Sequence, residues 1–117
     1  MDIAGMRWKL VELNGQPVSV LPPNGKEPFI LFETATNKVT GNGSCNSFGG
    51  TYTLQQNNSI RLSQLFSTKM ACNSLDTETQ FMKALEATDR YAIVNDTLTF
   101  HKGAIAPMAK FVATGKP

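Results

Sequence analysis

Long apolar runs are missing from this sequence, and with them a transmembrane helix, because nowhere do the roughly 18 consecutive apolar residues of a span occur. Charge is scarce as well: 17% of residues are charged, against about 25% in an average soluble domain. The net charge of +2 is too small to imply nucleic acid or an acidic membrane as partner. The basic residues Lys9, Lys26, Lys38, Arg61, Lys69, Lys83 and Lys102 also never gather into a block. Histidine occurs once, at His101, and cysteine twice, at Cys45 and Cys72, with no Cys-x-x-Cys spacing. Three soft ligands without a fourth do not make a zinc site, so no metal is expected. The opening from Met1 to Leu10 has neither the basic flank nor the apolar run of a secretory signal. Read literally that places the chain in the cytosol; a mature domain whose signal has been removed fits equally.

The glycines are equally bare of cofactor chemistry. Gly41-Asn42-Gly43 and Gly49-Gly50 invite a phosphate-loop reading. A dinucleotide fingerprint would need glycine where Asn46 stands, and a Walker loop would need a following Gly-Lys-Ser/Thr. Neither occurs, and no cofactor is expected. Cys45 with His101 could form a nucleophile and base, but a lone histidine beside a lysine and a turn is ordinarily a solvated imidazole. The carboxylates Asp76, Glu78, Glu86 and Asp89 crowd one segment, where a helix cap and a solvated face account for them. The sequons at Asn42, Asn57 and Asn95 read as chance matches in an Asn/Thr-rich chain. The expectation is a protein that is not an enzyme.

What the chain does have is threonine, asparagine and alternation. Threonine suits the wet face of a sheet, since its branched Cβ tolerates the pleat while its hydroxyl meets water. Met6, Trp8 and Leu10 alternate with Arg7 and Lys9, the period of a half-buried strand. The phase slips at Leu10-Val11, which predicts a bulge, and Asn14-Gly15 predicts a tight turn. Val18 and Val20 suggest a short return strand. Phe29 to Glu33 reads as a strand paired with Lys38 to Gly43 across a Thr34–Asn37 turn. The segment 41–50, with four glycines, reads as a tight non-repetitive crossing. Tyr52 and Leu54 share one face of a strand, and Ile60 and Leu62 share a face of the next, extended by Leu65 and Phe66.

A helix over about residues 76–88 follows. Thr77 with Gln80 forms a candidate capping box, with Asp76 and Glu78 at the positive end of the dipole. Phe81, Met82 and Leu85 lie on one face with Ala84 and Thr88 beside them, and Lys83 and Glu86 point away. Strands then resume around Tyr91 and Ile93, Leu98 and Phe100, and Met108 to Ala113. The pattern is mostly β (α+β): a small curled antiparallel sheet or open barrel of 7–8 short strands with one inserted helix, in a single domain over residues 1–117. Trp8, Phe32, Phe48, Tyr52, Phe66 and Phe100 are expected in its core, the alternative being that some line a ligand groove. The two cysteines fit a structural disulfide in an oxidising compartment or two buried thiols, and composition leaves both open.

Four segments resemble the META/HslJ family of small bacterial envelope domains. Trp8-Lys9-Leu10 with Leu13-Asn14-Gly15 is similar to that family's opening W-x-L and N-G. Gly43-Ser44-Cys45-Asn46-Ser47-Phe48-Gly49-Gly50-Thr51-Tyr52 is similar to its glycine-cysteine-asparagine core. Thr68-Lys69-Met70-Ala71-Cys72 resembles its T-x-M-A-C segment, and Glu78, Phe81 and Leu85 resemble the helix that follows. The resemblance spans about Met6 to Val112. Two departures stand out: Ser44 where a glycine is usual, and no cysteine ahead of the domain where many members are lipidated.

The resemblance implies an open barrel packed by one helix, located in the periplasm or anchored to the outer membrane. It also implies a Cys45–Cys72 disulfide and a link to heat shock, antibiotic resistance and, in some pathogens, motility or virulence. Trp8, Asn14, Gly15, Gly43, Asn46, Phe48, Gly50, Tyr52, Thr68 and Met70 carry the motif as structural residues. The expected function is a non-catalytic, monomeric module that binds a protein or cell-wall component during stress. The alternatives are a carrier of a lipid or other apolar ligand and a secreted hydrolase inhibitor.

Overall fold

Nine strands and one helix follow one another in the computed structural model, which describes residues 3–18, 27–43, 46–68, 75–103 and 107–114, with the backbone alone for 75–77. The strands are β1 (Arg7–Leu13), β2 (Gln16–Pro17), β3 (Phe29–Glu33), β4 (Lys38–Asn42), β5 (Ser47–Gln55) and β6 (Ser59–Ser67). Helix α1 (Leu75–Ala87) precedes β7 (Arg90–Val94), β8 (Thr97–His101) and β9 (Ala109–Ala113). Every pairing is antiparallel, in the order β2-β1-β3-β4-β5-β6-β7-β8-β9. A further ladder joins β1 to β9 and closes eight of the strands into a barrel, with β2 as an extra strand on the end of β1. The mostly-β barrel with one helix is therefore the fold, and the β1–β9 ladder pairs two strands that an open sheet would leave at its ends.

Asparagine does much of the turning. Asn14, Asn37, Asn57, Asn58 and Asn95 all hold positive φ, between 52° and 63°. Asparagine enters this left-handed region more readily than most residues. Asn14-Gly15, with φ of 52° and 81°, makes the two-residue link from Leu13 to Gln16, which matches the right-handed twist of the flanking strands. The predicted bulge is present: against β9 the register jumps from Leu10–Phe111 to Glu12–Lys110, leaving Val11 as the extra residue.

An eight-stranded barrel is just wide enough inside for side chains to fill, and aromatic rings fill this one. Tyr52, Phe32, Phe100, Phe111, Phe81 and Phe48 form a continuous chain, with successive ring centroids 5.0, 6.3, 5.1, 5.9 and 5.5 Å apart. Most of these contacts are edge-to-face, the arrangement favoured by the ring quadrupoles. Phe81 comes from α1, so the helix is keyed into the barrel through Phe48 on one side and Phe111 on the other. Trp8 is fully buried, and its indole N–H donates to the Ile3 carbonyl at 2.8 Å.

Several expectations change in the structure. Phe66 is 67% exposed instead of lying in the core. The cause is a second bulge: β5 runs from Gly49 to Thr51 while β6 runs from Phe66 back to Ser63, so β6 carries one residue more. Gln64 sits there with φ of 54°, and the extra residue flips Phe66 outward while Leu65 packs against the core. Leu54 is 40% exposed because it lies beside the β5–β6 turn, at the barrel rim. Most of the glycine segment is regular strand, in β4 and β5. The return strand is Gln16–Pro17 instead of Val18 and Val20, although Val18 N–H still donates to the Val11 carbonyl; Val20 lies outside the described residues. The helix begins at Leu75, so Thr77 lies inside it instead of capping it.

Candidate functional site

The first polar cluster grows from the link between β4 and β5. Gly43 N–H donates to the Asn46 carbonyl at 2.9 Å, fixing the ends of a short loop. That loop aims two donors of one residue at one carboxylate. Asn46 backbone N–H reaches Glu78 Oε1 and Asn46 Nδ2 reaches Glu78 Oε2, each at 2.6 Å. The Thr68 hydroxyl donates to Asn46 Oδ1 at 2.8 Å, and Thr68 N–H donates to the Ser47 carbonyl at 3.1 Å. Glu78 lies in the first turns of α1, where the helix dipole favours negative charge. Both Asn46 and Glu78 are buried, so the shared hydrogen bonds offset a desolvation cost that either would otherwise carry alone.

Gly43 completes the cluster by absence of a side chain. A Cβ there would stand 2.6 Å from Glu78 Cγ and 2.8 Å from its Oε1. Chemically the cluster is a tether: both carboxylate oxygens accept from Asn46, and Gly43 lets the strand end pack closely against the Glu78 side chain. The sequence expectation that the helix acids sit on a cap or a solvated face therefore fails for Glu78, although Glu86 and Asp89 are exposed. Glu78's burial had no signal in the sequence, because its partner lies 32 positions away.

A second feature is a groove of about 490 Å³ between β6 and the end of α1, lined by Arg61, Leu62 and Ser63 of β6, by Glu86 of α1, and by Asp89 and Arg90 where the chain enters β7. Arg90 also donates to the Asn57 carbonyl at 3.2 Å, and Asp89 Oδ1 accepts from Gly103 N–H at 2.7 Å. Periodicity had placed these residues on separate strands and a helix face without joining them.

The remaining described motif residues lie in the core or at turns and bulges. Trp8, Phe48 and Tyr52 are buried in the core, and Asn14-Gly15 is a turn whose Asn14 amide donates to the Gln80 side chain at 3.4 Å. Gly50 faces the β6 bulge, where a Cβ would meet the Ser63 carbonyl. Cys45, Cys72 and Met70 lie outside the described residues, and with them the expected disulfide and the cysteine of the Cys45–His101 pairing. His101 is half-buried on β8, its Nε2 at 2.9 Å from the Thr99 hydroxyl. Of the sequon asparagines, Asn57 and Asn95 are exposed and Asn42 is buried. Among the described residues no group of three or more His, Cys, Asp or Glu side chains is placed to hold a metal ion. No helix among them is long and apolar enough to cross a membrane.

Solved structures share this architecture. One is a protein from Burkholderia xenovorans determined by NMR, 20% identical, with a TM-score of 0.70 over 96% of this chain and 83% of that one. A second NMR structure is 22% identical, with a TM-score of 0.69 over 94% of this chain and 90% of that one. A third, a crystal structure of a DUF4847 family protein from Bacteroides vulgatus, is 15% identical, with a TM-score of 0.68 over 98% and 96%. At these identities the likeness shows the fold alone. The curated proteins contain no match to the chain. The META domain profile matches residues 1–115, so nearly the whole chain is accounted for, and the protein belongs to the META domain family.

Proposed function

We propose that this chain is a non-catalytic binding and structural module of the bacterial envelope, working as a monomer in the periplasm or at the outer membrane during stress. The observation that supports this best is the use made of Glu78. The one carboxylate buried among the described residues has both oxygens engaged by Asn46 and packs closely against Gly43. A group that must accept and release protons needs access to its substrate, and this one is built into a tether between helix and barrel. Membership of the META family fits the same reading. A carrier of apolar ligands would need room inside the barrel, where six aromatic rings pack in a continuous chain. No observation favours a hydrolase inhibitor.

The test is capture. Immobilised full chain is challenged with bacterial envelope extract before and after heat stress. Saturable, equimolar retention of one envelope component, released chemically unchanged, is the expected result. Conversion of the retained species, or no saturable retention under either condition, overturns the reading.

A further inference from the structure

The ladder between β6 and β7 consists of one residue pair, Ser59 with Arg90. Its hydrogen bonds run from Ile60 N–H to the Asp89 carbonyl at 3.1 Å and from Tyr91 N–H to the Asn58 carbonyl at 3.0 Å. Where β7 would continue, the chain has already turned into the end of α1. Strand β6 nonetheless runs on to Ser67, with β5 along one edge and, among the described residues, no strand along the other beyond the Ser59–Arg90 pair. Backbone groups alternate in direction along an antiparallel strand. Because Ile60 turns its N–H toward this seam, Leu62 turns its N–H and carbonyl the same way. The groove of about 490 Å³ opens beside it, within the size range of ligand sites.

Charge marks the two walls. Arg61 and Arg90 are exposed at the strand side, and Glu86 is exposed at the helix side. They form no ion pair with one another: the ion pair among the described residues is Lys110 with Glu12, at 3.5 Å. A simple anion would meet the arginines and leave the Leu62 amide and Glu86 unused. An apolar molecule would face glutamine, serine and charged side chains. An extended peptide supplies alternating backbone donors and acceptors, and side chains of either sign.

We propose that this groove binds an extended peptide segment, which adds as a strand to the free edge of β6 and sets an acidic side chain against Arg61 or Arg90 and a basic one against Glu86. The proposal rests on reading the chain as a binding module and gives that module its site and ligand class.

The probe is a blocked hexapeptide of alternating valine and threonine carrying one glutamate and one lysine, titrated into the full chain. Its control carries N-methyl groups on alternate backbone nitrogens. Saturable binding is expected, with exchange of the Leu62 amide slowed by about tenfold or more in the complex. The N-methylated peptide should not bind. Arg61→Glu, an exposed change checked by an unaltered melting curve, should weaken binding about tenfold, and a probe with lysine in place of glutamate should restore it. Absence of saturation, equal binding of the N-methylated control, or unchanged Leu62 exchange overturns the proposal. An envelope component captured as well by the Arg61→Glu, Glu86→Lys double variant as by the parent also overturns it, and leaves the binding module standing. Failure of the parent to capture anything removes both.

Discussion

A carboxylate whose two oxygens each accept from Asn46 leaves little slack for isosteric replacement. In Glu78→Gln one oxygen becomes an NH2 group, which would then face a donor of Asn46. An unsatisfied buried donor costs about 1–3 kcal/mol. The expected result is a lower urea midpoint with an unchanged m-value; a variant that unfolds with the parent would mean the tether is not integral. A second residue-scale test concerns Phe66, whose ring lies over Gly49 on the outer face, with a Cβ at Gly49 placed 2.8 Å from the ring Cζ. Gly49→Ala should destabilise by about 1 kcal/mol in the parent and by almost nothing beside Phe66→Ala. A double-mutant cycle should therefore give a coupling of at least about 0.5 kcal/mol. Additivity within error would show that the ring swings clear of the strand at no cost.

Helix α1 touches the barrel through few residues, and Phe81 is the one whose ring meets both β5 and β9 neighbours. Truncating a fully buried phenylalanine commonly costs about 3–5 kcal/mol. Phe81→Ala is expected to fall in that range by chemical denaturation, with the helix signal lost in the same transition as the sheet. A separate, earlier loss of helix would show that the two do not fold as one unit. This element was legible from sequence because Phe81, Ala84, Leu85 and Thr88 recur at helical spacing and are all buried. The Asn-based turns and the Val11 bulge were legible for similar local reasons. The inversion of Phe66 was not, because a single inserted residue at Gln64 reverses the face while leaving composition untouched. Nor was the Asn46–Glu78 tether or the groove at Arg61 and Glu86, since each joins residues distant in sequence and pattern reading sees only neighbours.

At the scale of the whole molecule, the polar tether joins the start of β5, the end of β6 and the first turns of α1. Cys45 and Cys72 lie outside the described residues, but Asn46, Thr68 and Glu78, which flank them in sequence, are hydrogen-bonded together. A bridge between the two cysteines would reinforce that junction. If it forms, Cys45→Ser or Cys72→Ser should lower stability by about 2–5 kcal/mol, measured by melting without reductant. Parent-like melting of both variants, or two titratable thiols in the native chain, would count against it.

The ladder that shuts the barrel joins the first long strand to the last. Thr114 donates from its N–H and its hydroxyl to the Arg7 carbonyl, 107 positions away along the chain. Contacts of such separation must recover a large loop-closure entropy before they contribute anything, and folds dominated by them assemble in about milliseconds to seconds. During synthesis β1 leaves the ribosome well before its β9 neighbour, and the two can pair only once β9 has emerged. Until then its backbone is an adhesive edge with Trp8 and Leu10 still in water, so the nascent domain is at its most aggregation-prone just before β9 emerges.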